Sequence, residues 1–398
     1  MPKPIISVYE QSRLRIGEQR NSFLFTEQHL QQLDCARQKL PPGIFRLAYQ
    51  SVQFGNWVGL IELPDIIIEI LPKIAITENI GQTRTRWTHL LQQFDFLPQL
   101  GNLNPQLLMQ PGNLTETLQR AFLVEVTRLV QRGLIKQYQS QRSQQPFLRG
   151  RLLFPEQIRT NLVQKHRFFV QAQCLAKDHR LNQRLKQALR IVATSGNYSS
   201  QTQDLLRYFR SVDDIPLDKP ESRLKLNRVT QHYQTSLRLA NLICNGYLGG
   251  TFAGQDFGFS LLFDMSWVFE RLVYFHLRKL SQGHHFTVFY QPQRSFWQQK
   301  QLRPDFILQL PNNQSIVIDT KWKILNAPEP SDEDLRQIFA YTQVFRAQRG
   351  ILLYPQTSDL QPTQQSFGST SQSVSVGEIR FLSILENVKA QLLEIILG

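Results

Sequence analysis

The 398-residue chain predicts an α+β protein of several domains: a β-rich N-terminal part, a basic and mostly helical middle, and a C-terminal α/β part. Three observations predict it. Residues 1–80 hold short apolar runs separated by Pro and Gly punctuation. Between residues 116 and 247 apolar side chains recur at helical spacing. From residue 264 onward a helical pattern, alternating strands, a capped helix and an apolar strand follow in turn. A chain of this length can bury two or three cores.

The strands expected first are Ile5–Tyr9, Phe23–Phe25, Phe45–Tyr49, Gln53–Leu63 and Ile66–Leu71, in an order that predicts a small barrel or sandwich. The last runs into Pro72-Lys73. Helices are expected over 84–100 and 116–137, the second on Leu118, Phe122, Val126, Leu129, Val130 and Leu134. Between them, Pro98–Gly112 reads as an exposed loop.

Ser140–Gln145 reads as a polar linker, and Phe147–Phe154 as a strand carrying Arg149 and Arg151. Helices follow over 178–194, 201–211 and 227–247, then a Gly-rich approach, 249–258. Lys and Arg exceed Asp and Glu by 14 over the chain, and Gln119–Arg190 alone holds fifteen Lys/Arg against Glu125, Glu156 and Asp178. Such a concentrated field favours a polyanion and predicts salt-dependent binding to double-stranded DNA. Arg180, Arg184, Lys186 and Arg190 are the candidate phosphate contacts.

The C-terminal part is organised around Arg303–Lys323. Phe306, Leu308 and Leu310 alternate with Asp305, Ile307 and Gln309; after a Pro311-Asn312-Asn313 turn, Val317, Asp319 and Lys321 share one face. A three-residue loop pairs Leu310 with Gln314 and Asp305 with Asp319, so two carboxylates and an ammonium converge at the end of an apolar hairpin. Two carboxylates this close repel unless a cation sits between them, and hard oxygen ligands suit Mg²⁺. The lysine would stabilise charge on an attacked phosphate or help deprotonate a water. Around the hairpin, Asp264 precedes a helix carrying Glu270 beside Trp267 and Tyr274. Ser331 and Asp334 form a capping-box-like helix start, with Gln337 and Tyr341 on one face. Arg349-Gly350 reads as that helix's stop and 350–355 as a buried strand. A Ser/Gln/Thr loop, Gln361–Gly377, a strand, Glu378–Ile384, and a helix, Leu385–Leu397, close the chain.

Pro304-Asp305 with Asp319-Thr320-Lys321 resembles the PD-(D/E)xK nuclease core, and Gln337 to Tyr341 its Q-x-x-x-Y element. That resemblance implies a restriction endonuclease-like fold. It implies Mg²⁺ held by Asp305, Asp319 and the Thr320 carbonyl, with Glu270 as a third carboxylate, direct or through water. Lys321 would orient or activate the attacking water, Gln337 would position the chain or the lysine, and Tyr341 would contact nucleic acid. On a larger scale, Ile70–Ile74, Leu148–Arg151, Phe269-Glu270, the hairpin motifs, Gln337 to Tyr341 and Leu352–Pro355 occur in the order seen in McrC, the nuclease subunits of 5-methylcytosine-specific McrBC (type IV) restriction systems. This implies a DNA endonuclease subunit that engages and stimulates a hexameric AAA+ GTPase of the McrB type through its N-terminal region. The missing G-x-x-x-x-G-K-[ST] motif accords with nucleotide hydrolysis by such a partner. Two alternatives remain: a repair or RecB-like PD-(D/E)xK nuclease, and a non-catalytic GTPase activator or DNA-binding scaffold.

The segments expected as domains are 1–145 for partner binding, 146–250 for DNA binding and 251–398 for the nuclease. Cys35, Cys174 and Cys244 lack metal or disulfide spacing, no signal core opens the chain, and no apolar run approaches the ~18 residues of a membrane span. A cytoplasmic protein without membrane contact is the expectation.

Overall fold

In a computed structural model, the chain is a mixed α/β protein with several separate sheets. The structure describes all residues except 1–2, 39, 74–79, 93–112, 165, 195–197, 216–225, 247–250, 253–254, 257–259, 312, 326, 328, 357–362, 367–375, 384–386 and 398. The expected Pro98–Gly112 loop, most of 361–377 and much of the Gly-rich approach lie outside the described residues. Among the described residues no helix is long and apolar enough to cross a membrane.

The chain divides into two compact units, residues 1–113 with 260–398, and residues 114–259. The N-terminal and C-terminal segments, expected as separate domains, thus share one unit. The reason is a strand: Ser260–Asp264 pairs antiparallel with Trp57–Glu62, completing a four-stranded sheet with Ile67–Leu71 and Ile5–Tyr9. At the seam Gly59, opposite Leu262, has φ +139, and a Cβ there would lie 1.9 Å from the Leu261 carbonyl oxygen. Only glycine lets the two segments approach this closely.

The expected N-terminal barrel or sandwich is instead three small open sheets: the one just described, one made of Arg13–Arg15, Ser51–Phe54 and Phe45–Ala48, and a ribbon of Gln19–Arg20 with Phe23–Leu24. The predicted 53–63 strand is two, Ser51–Phe54 and Trp57–Glu62, and a helix not anticipated, Glu27–Arg37, buries Leu33 and Ala36. Buried Glu69 accepts two hydrogen bonds from Arg84, at 2.8 and 2.7 Å, and one from Ser7 at 2.6 Å, fixing the helix Ile80–Gln92 to the first sheet. A buried carboxylate is tolerated because its oxygens are satisfied in this way.

The C-terminal segment forms a six-stranded mixed sheet in the order Thr287–Tyr290, Phe306–Gln309, Ser315–Thr320, Arg349–Pro355, Val376–Leu382 and Thr363–Ser366. The hairpin has the expected register: Phe306 faces Ile318, Gln309 faces Ser315, and the Leu310 N–H reaches the Gln314 carbonyl at 2.8 Å. The helix Asp332–Phe345 lays Ile338 and Tyr341 on Ile307, Val317, Leu352 and Tyr354. It ends at Arg346 in left-handed conformation, φ 54, rather than at Arg349-Gly350, which already belong to the strand. A Cβ on Gly350 would meet Thr342 Cγ2 at 2.5 Å, so glycine sets the distance between this helix and the sheet.

The second unit joins the helices Asn113–Arg132, Arg180–Thr194, Ser199–Tyr208 and Gln234–Gly246 with a three-stranded sheet. Ser140–Gln145, expected as a linker, lies in the strand Gln137–Gln145, which pairs along its whole length with Phe168–Ala176. Of the expected 147–154 strand only Arg151–Leu152 is in the sheet, and a helix starts at Phe154.

Candidate active site

Each element that meets at the hairpin starts where a side chain satisfies its free backbone groups. Asp264 Oδ1 accepts from the Ser266 N–H at 2.9 Å and opens the helix Met265–Gly283. That helix buries Val268, Phe269, Leu272, Val273 and Leu277, leaving Glu270 partly accessible on its flank. Ser331 caps the second helix, accepting from the Asp334 N–H at 3.3 Å.

The hairpin brings the predicted acids together. Asp305 Oδ2 accepts from the Thr320 N–H at 2.7 Å and the Thr320 hydroxyl at 2.5 Å, locking the first strand's end to the Asp319-Thr320 backbone. Gln291, which the sequence reading missed, ties in the third acid: its side chain donates to Glu270 at 2.7 Å and its backbone N–H to the Asp305 carbonyl at 2.8 Å. Burial, then the nearby Asp305 charge, pushes the Glu270 carboxyl up. Asp319 is 4% exposed; burial first, then Asp305, pushes its carboxyl up to about 6 against the opposing pull of Lys321.

Lys321 Nζ lies 2.7 Å from Asp319 Oδ2 and donates to Gln337 Oε1 at 2.6 Å. Gln337 in turn donates to the Tyr341 hydroxyl at 2.8 Å, and that hydroxyl donates to the Arg303 carbonyl at 3.3 Å. The expected Gln337/Tyr341 face is therefore a relay that fixes the lysine. Tyr341 is only 5% exposed, so it orients Gln337 and does not present itself to a nucleic acid. Burial opposes the Lys321 ammonium, yet Asp319 and Asp334 together hold its proton more tightly than usual.

Asp334, read from sequence only as a capping residue, is a further buried carboxylate here. It lies 3.7 Å from Lys321 Nζ, accepts from Lys323 at 2.7 Å and from the Tyr354 hydroxyl at 3.3 Å. Burial raises and Lys323 lowers its carboxyl, with a net depression. Lys321 is thus shared between two acids, which is why Asp319 is not fully compensated. Consistent with this, Asp319 Oδ2 is a buried oxygen with no well-directed hydrogen bond, despite the lysine beside it.

The donor set suits a hard cation: Asp305 and Asp319 carboxylates in one electrostatic field, a backbone carbonyl between Asp319 and Lys321, and an under-satisfied carboxylate oxygen. Among the described residues no three His, Cys, Asp or Glu side chains form a ready-made metal cage.

Trp322, between Lys321 and Lys323, links this site to the N-terminal sheets. Its indole N–H donates to both oxygens of Glu10, at 3.1 and 2.9 Å, and its ring packs 5.5 Å from Phe269. Glu10 is 1% exposed and also accepts from the Lys73 N–H at 2.8 Å. Burial pushes its carboxyl up to about 7. A small cleft with room for about one water, lined by Glu10, Lys73, Trp322 and Lys323, opens there. Nothing local in sequence pairs residues 10 and 322.

The predicted DNA contacts in the middle segment fare differently. Arg184 is 4% exposed and donates to Asn241, Gln187 and Asn245. Lys186 donates to the Val212 carbonyl at 2.6 Å and pairs with Asp214, which also binds Arg190 at 2.7 Å. Arg184 and Lys186 hold the unit together and are not displayed for phosphates, whereas Arg180 and Arg190 are exposed. An amphipathic helix can bury an arginine when distant amides satisfy it, which a charge count does not see.

Residues 52–355 match the family described as McrBC 5-methylcytosine restriction system component. No curated protein matches the chain. Among solved structures, a refined half-complex from a tetradecameric assembly of Thermococcus gammatolerans McrB AAA+ hexamers with bound McrC has a chain similar in fold, with TM-score 0.64 and 20% identity over 98% of this chain and 100% of that one. A chain of the cryo-EM structure of the Thermococcus gammatolerans McrBC complex matches at TM-score 0.47 and 20% identity, over 69% of this chain and 87% of that one.

Proposed function

The chain belongs to the family of McrBC 5-methylcytosine restriction system components, and on that premise we propose that the Asp305/Asp319/Lys321 hairpin is a PD-(D/E)xK-type centre for Mg²⁺-dependent hydrolysis of DNA phosphodiesters. The observation that carries the reading is the buried, incompletely compensated Asp319 carboxylate beside a lysine held by Gln337. A structural ion pair would pair one acid with one base; here Asp319 and Asp334 compete for Lys321, and the Asp305 charge acts on both Asp319 and Lys321.

Asp305, Asp319 and the Thr320 carbonyl would hold the cation, with Glu270 at the edge. Bound there, Mg²⁺ supplies positive charge to the phosphate and acidifies a water. Asp305 is kept in place by Thr320, and Glu270 by Gln291. Lys321, its rotation limited by Gln337 and Tyr341, holds its ammonium at the attacked phosphate, where developing negative charge is stabilised. The partner would be an AAA+ hexamer of the kind named in the structural relative, acting as a GTPase and engaged through the N-terminal region, and the working compartment would be the cytoplasm.

The test is cleavage of methylated and unmethylated plasmid with and without that GTPase and GTP. Methylation- and GTP-dependent cutting is expected, lost in Lys321→Ala by a factor of about 10² or more, with the partner's GTP hydrolysis still stimulated. A Lys321→Ala protein that cuts at the wild-type rate would refute the assignment.

A further inference from the structure

Just before Asp305 the chain makes a detour that the site does not use. Arg294–Trp297 and Lys300–Leu302 pair as a two-stranded antiparallel ribbon that joins no larger sheet. Its register shifts between Ser295 and Trp297, leaving Phe296 at a bulge, the device by which a ribbon re-aims a side chain. The base is fixed: the Arg294 guanidinium donates to the Val344 carbonyl at 2.6 Å and lies over the Phe345 ring, at the end of the helix that carries Gln337. The Ser295 hydroxyl donates to the Gln298 carbonyl at 3.0 Å and stiffens the turn. Beyond that base every residue from Ser295 to Gln301 is exposed, with Phe296 at 57% and Trp297 at 66%.

Two neighbouring exposed aromatics at a rigid tip mark a contact surface rather than ordinary surface composition. Its chemistry selects the partner. Residues 291–303 hold Arg294, Lys300 and Arg303, no Asp or Glu, and five glutamines. Cations without acids favour a polyanion. A two-stranded ribbon fits the major groove, glutamine pairs with the adenine edge, and aromatic side chains stack on or wedge between bases. The ribbon runs through Arg303-Pro304 directly into Asp305. Five extended residues from Lys300 to Asp305 span at most about 17 Å, or roughly five base pairs of duplex.

We propose that this ribbon is a duplex-DNA contact element, gripping a groove within about five base pairs of the phosphate at the hairpin through Phe296, Trp297 and Lys300, with Gln298, Gln299 and Gln301 facing the bases. The inference rests on the nuclease reading for its location but predicts binding independently of cleavage.

The experiment uses the full chain carrying Asp319→Asn, a labelled 25-base-pair duplex, fluorescence anisotropy at several salt concentrations, and tryptophan emission. Phe296→Ala with Trp297→Ala should weaken duplex binding by roughly 5- to 100-fold with little change in salt slope. Lys300→Ala should lower the slope by about one. Being exposed, these side chains can be removed without disturbing the core. Unchanged affinity overturns the proposal, and unchanged affinity with weakened assembly onto the GTPase assigns the ribbon to a protein contact and overturns it equally. If the chain with an unaltered hairpin cuts no methylated DNA even with the GTPase and GTP while the ribbon variants still lose duplex affinity, the nuclease reading fails and the ribbon assignment stands.

Discussion

Replacing Asp319 with asparagine separates a catalytic carboxylate from a structural one. In the metal-free protein burial and Asp305 move the Asp319 carboxyl from 3.8 to about 6. A shift of about two units corresponds to ~3 kcal/mol. The sign follows from linkage: because the folded value lies above the unfolded one, stability from this group is fully present below pH 3.8 and is lost as pH rises through about 6. Above pH 7 the ionised carboxylate therefore costs the metal-free fold on the order of 1–3 kcal/mol. Asparagine resembles the protonated acid and removes that cost. Asp319→Asn should accordingly raise the melting temperature at pH 8 in EDTA by a few °C, at ~2–4 °C per kcal/mol for a unit of this size, and leave it unchanged near pH 4. Mg²⁺ should stabilise the wild-type chain and not the variant. Thermal unfolding at the two pH values, with EDTA or Mg²⁺, decides. A variant less stable than wild type at pH 8 without metal would mean that the 2.7 Å pair with Lys321 outweighs burial and repulsion, and that Asp319 is there for the fold.

Trp322→Phe removes the side-chain donor from buried Glu10 and should destabilise the protein by ~1–3 kcal/mol. Because Glu10 already loses stability as pH rises from 4.5 through about 7, the variant's deficit should be larger at pH 8.5 than at pH 4.5, as read by denaturant unfolding. Gly350→Ala forces a methyl against Thr342 and Ile338 and should cost about 1–3 kcal/mol by overpacking; since the displaced helix carries Gln337, cleavage should fall further than stability alone explains. Arg184→Ala leaves Asn241, Asn245 and Gln187 without their donor and should cost ~2–4 kcal/mol, while the salt slope of DNA binding stays at its wild-type value.

The hairpin was readable because three local signals agree there: period-two alternation, a Pro-Asn-Asn turn, and a register in which one slip would put every apolar residue on the wrong face. The Ser331 cap was readable for the same reason, being an i to i+3 contact. What escaped depends on partners far along the chain. Arg184 looks like a surface cation until Asn241 and Asn245 arrive from another helix. Ser140–Gln145 has the composition of a linker, and only the Phe168–Ala176 strand makes it sheet. Asp334 announces a helix start in sequence; its second role beside Lys321 appears only when the helix docks on the Asp319 strand. Glu10 and Trp322 are 312 residues apart.

The strand pairing at Gly59 also dictates when this protein can exist as a folded object. Trp57–Glu62 leaves the ribosome about two hundred residues before its neighbour Ser260–Asp264, and Glu10 waits longer still for Trp322. Closing so large a loop is entropically slow and is repaid only when the last partner arrives. The N-terminal sheet cannot be finished until Ser260–Asp264 has been made, and the candidate centre cannot be assembled on a chain that stops before Lys321. An interrupted product that ends before Asp319 therefore carries the first half of the hairpin's chemistry with nothing to complete it.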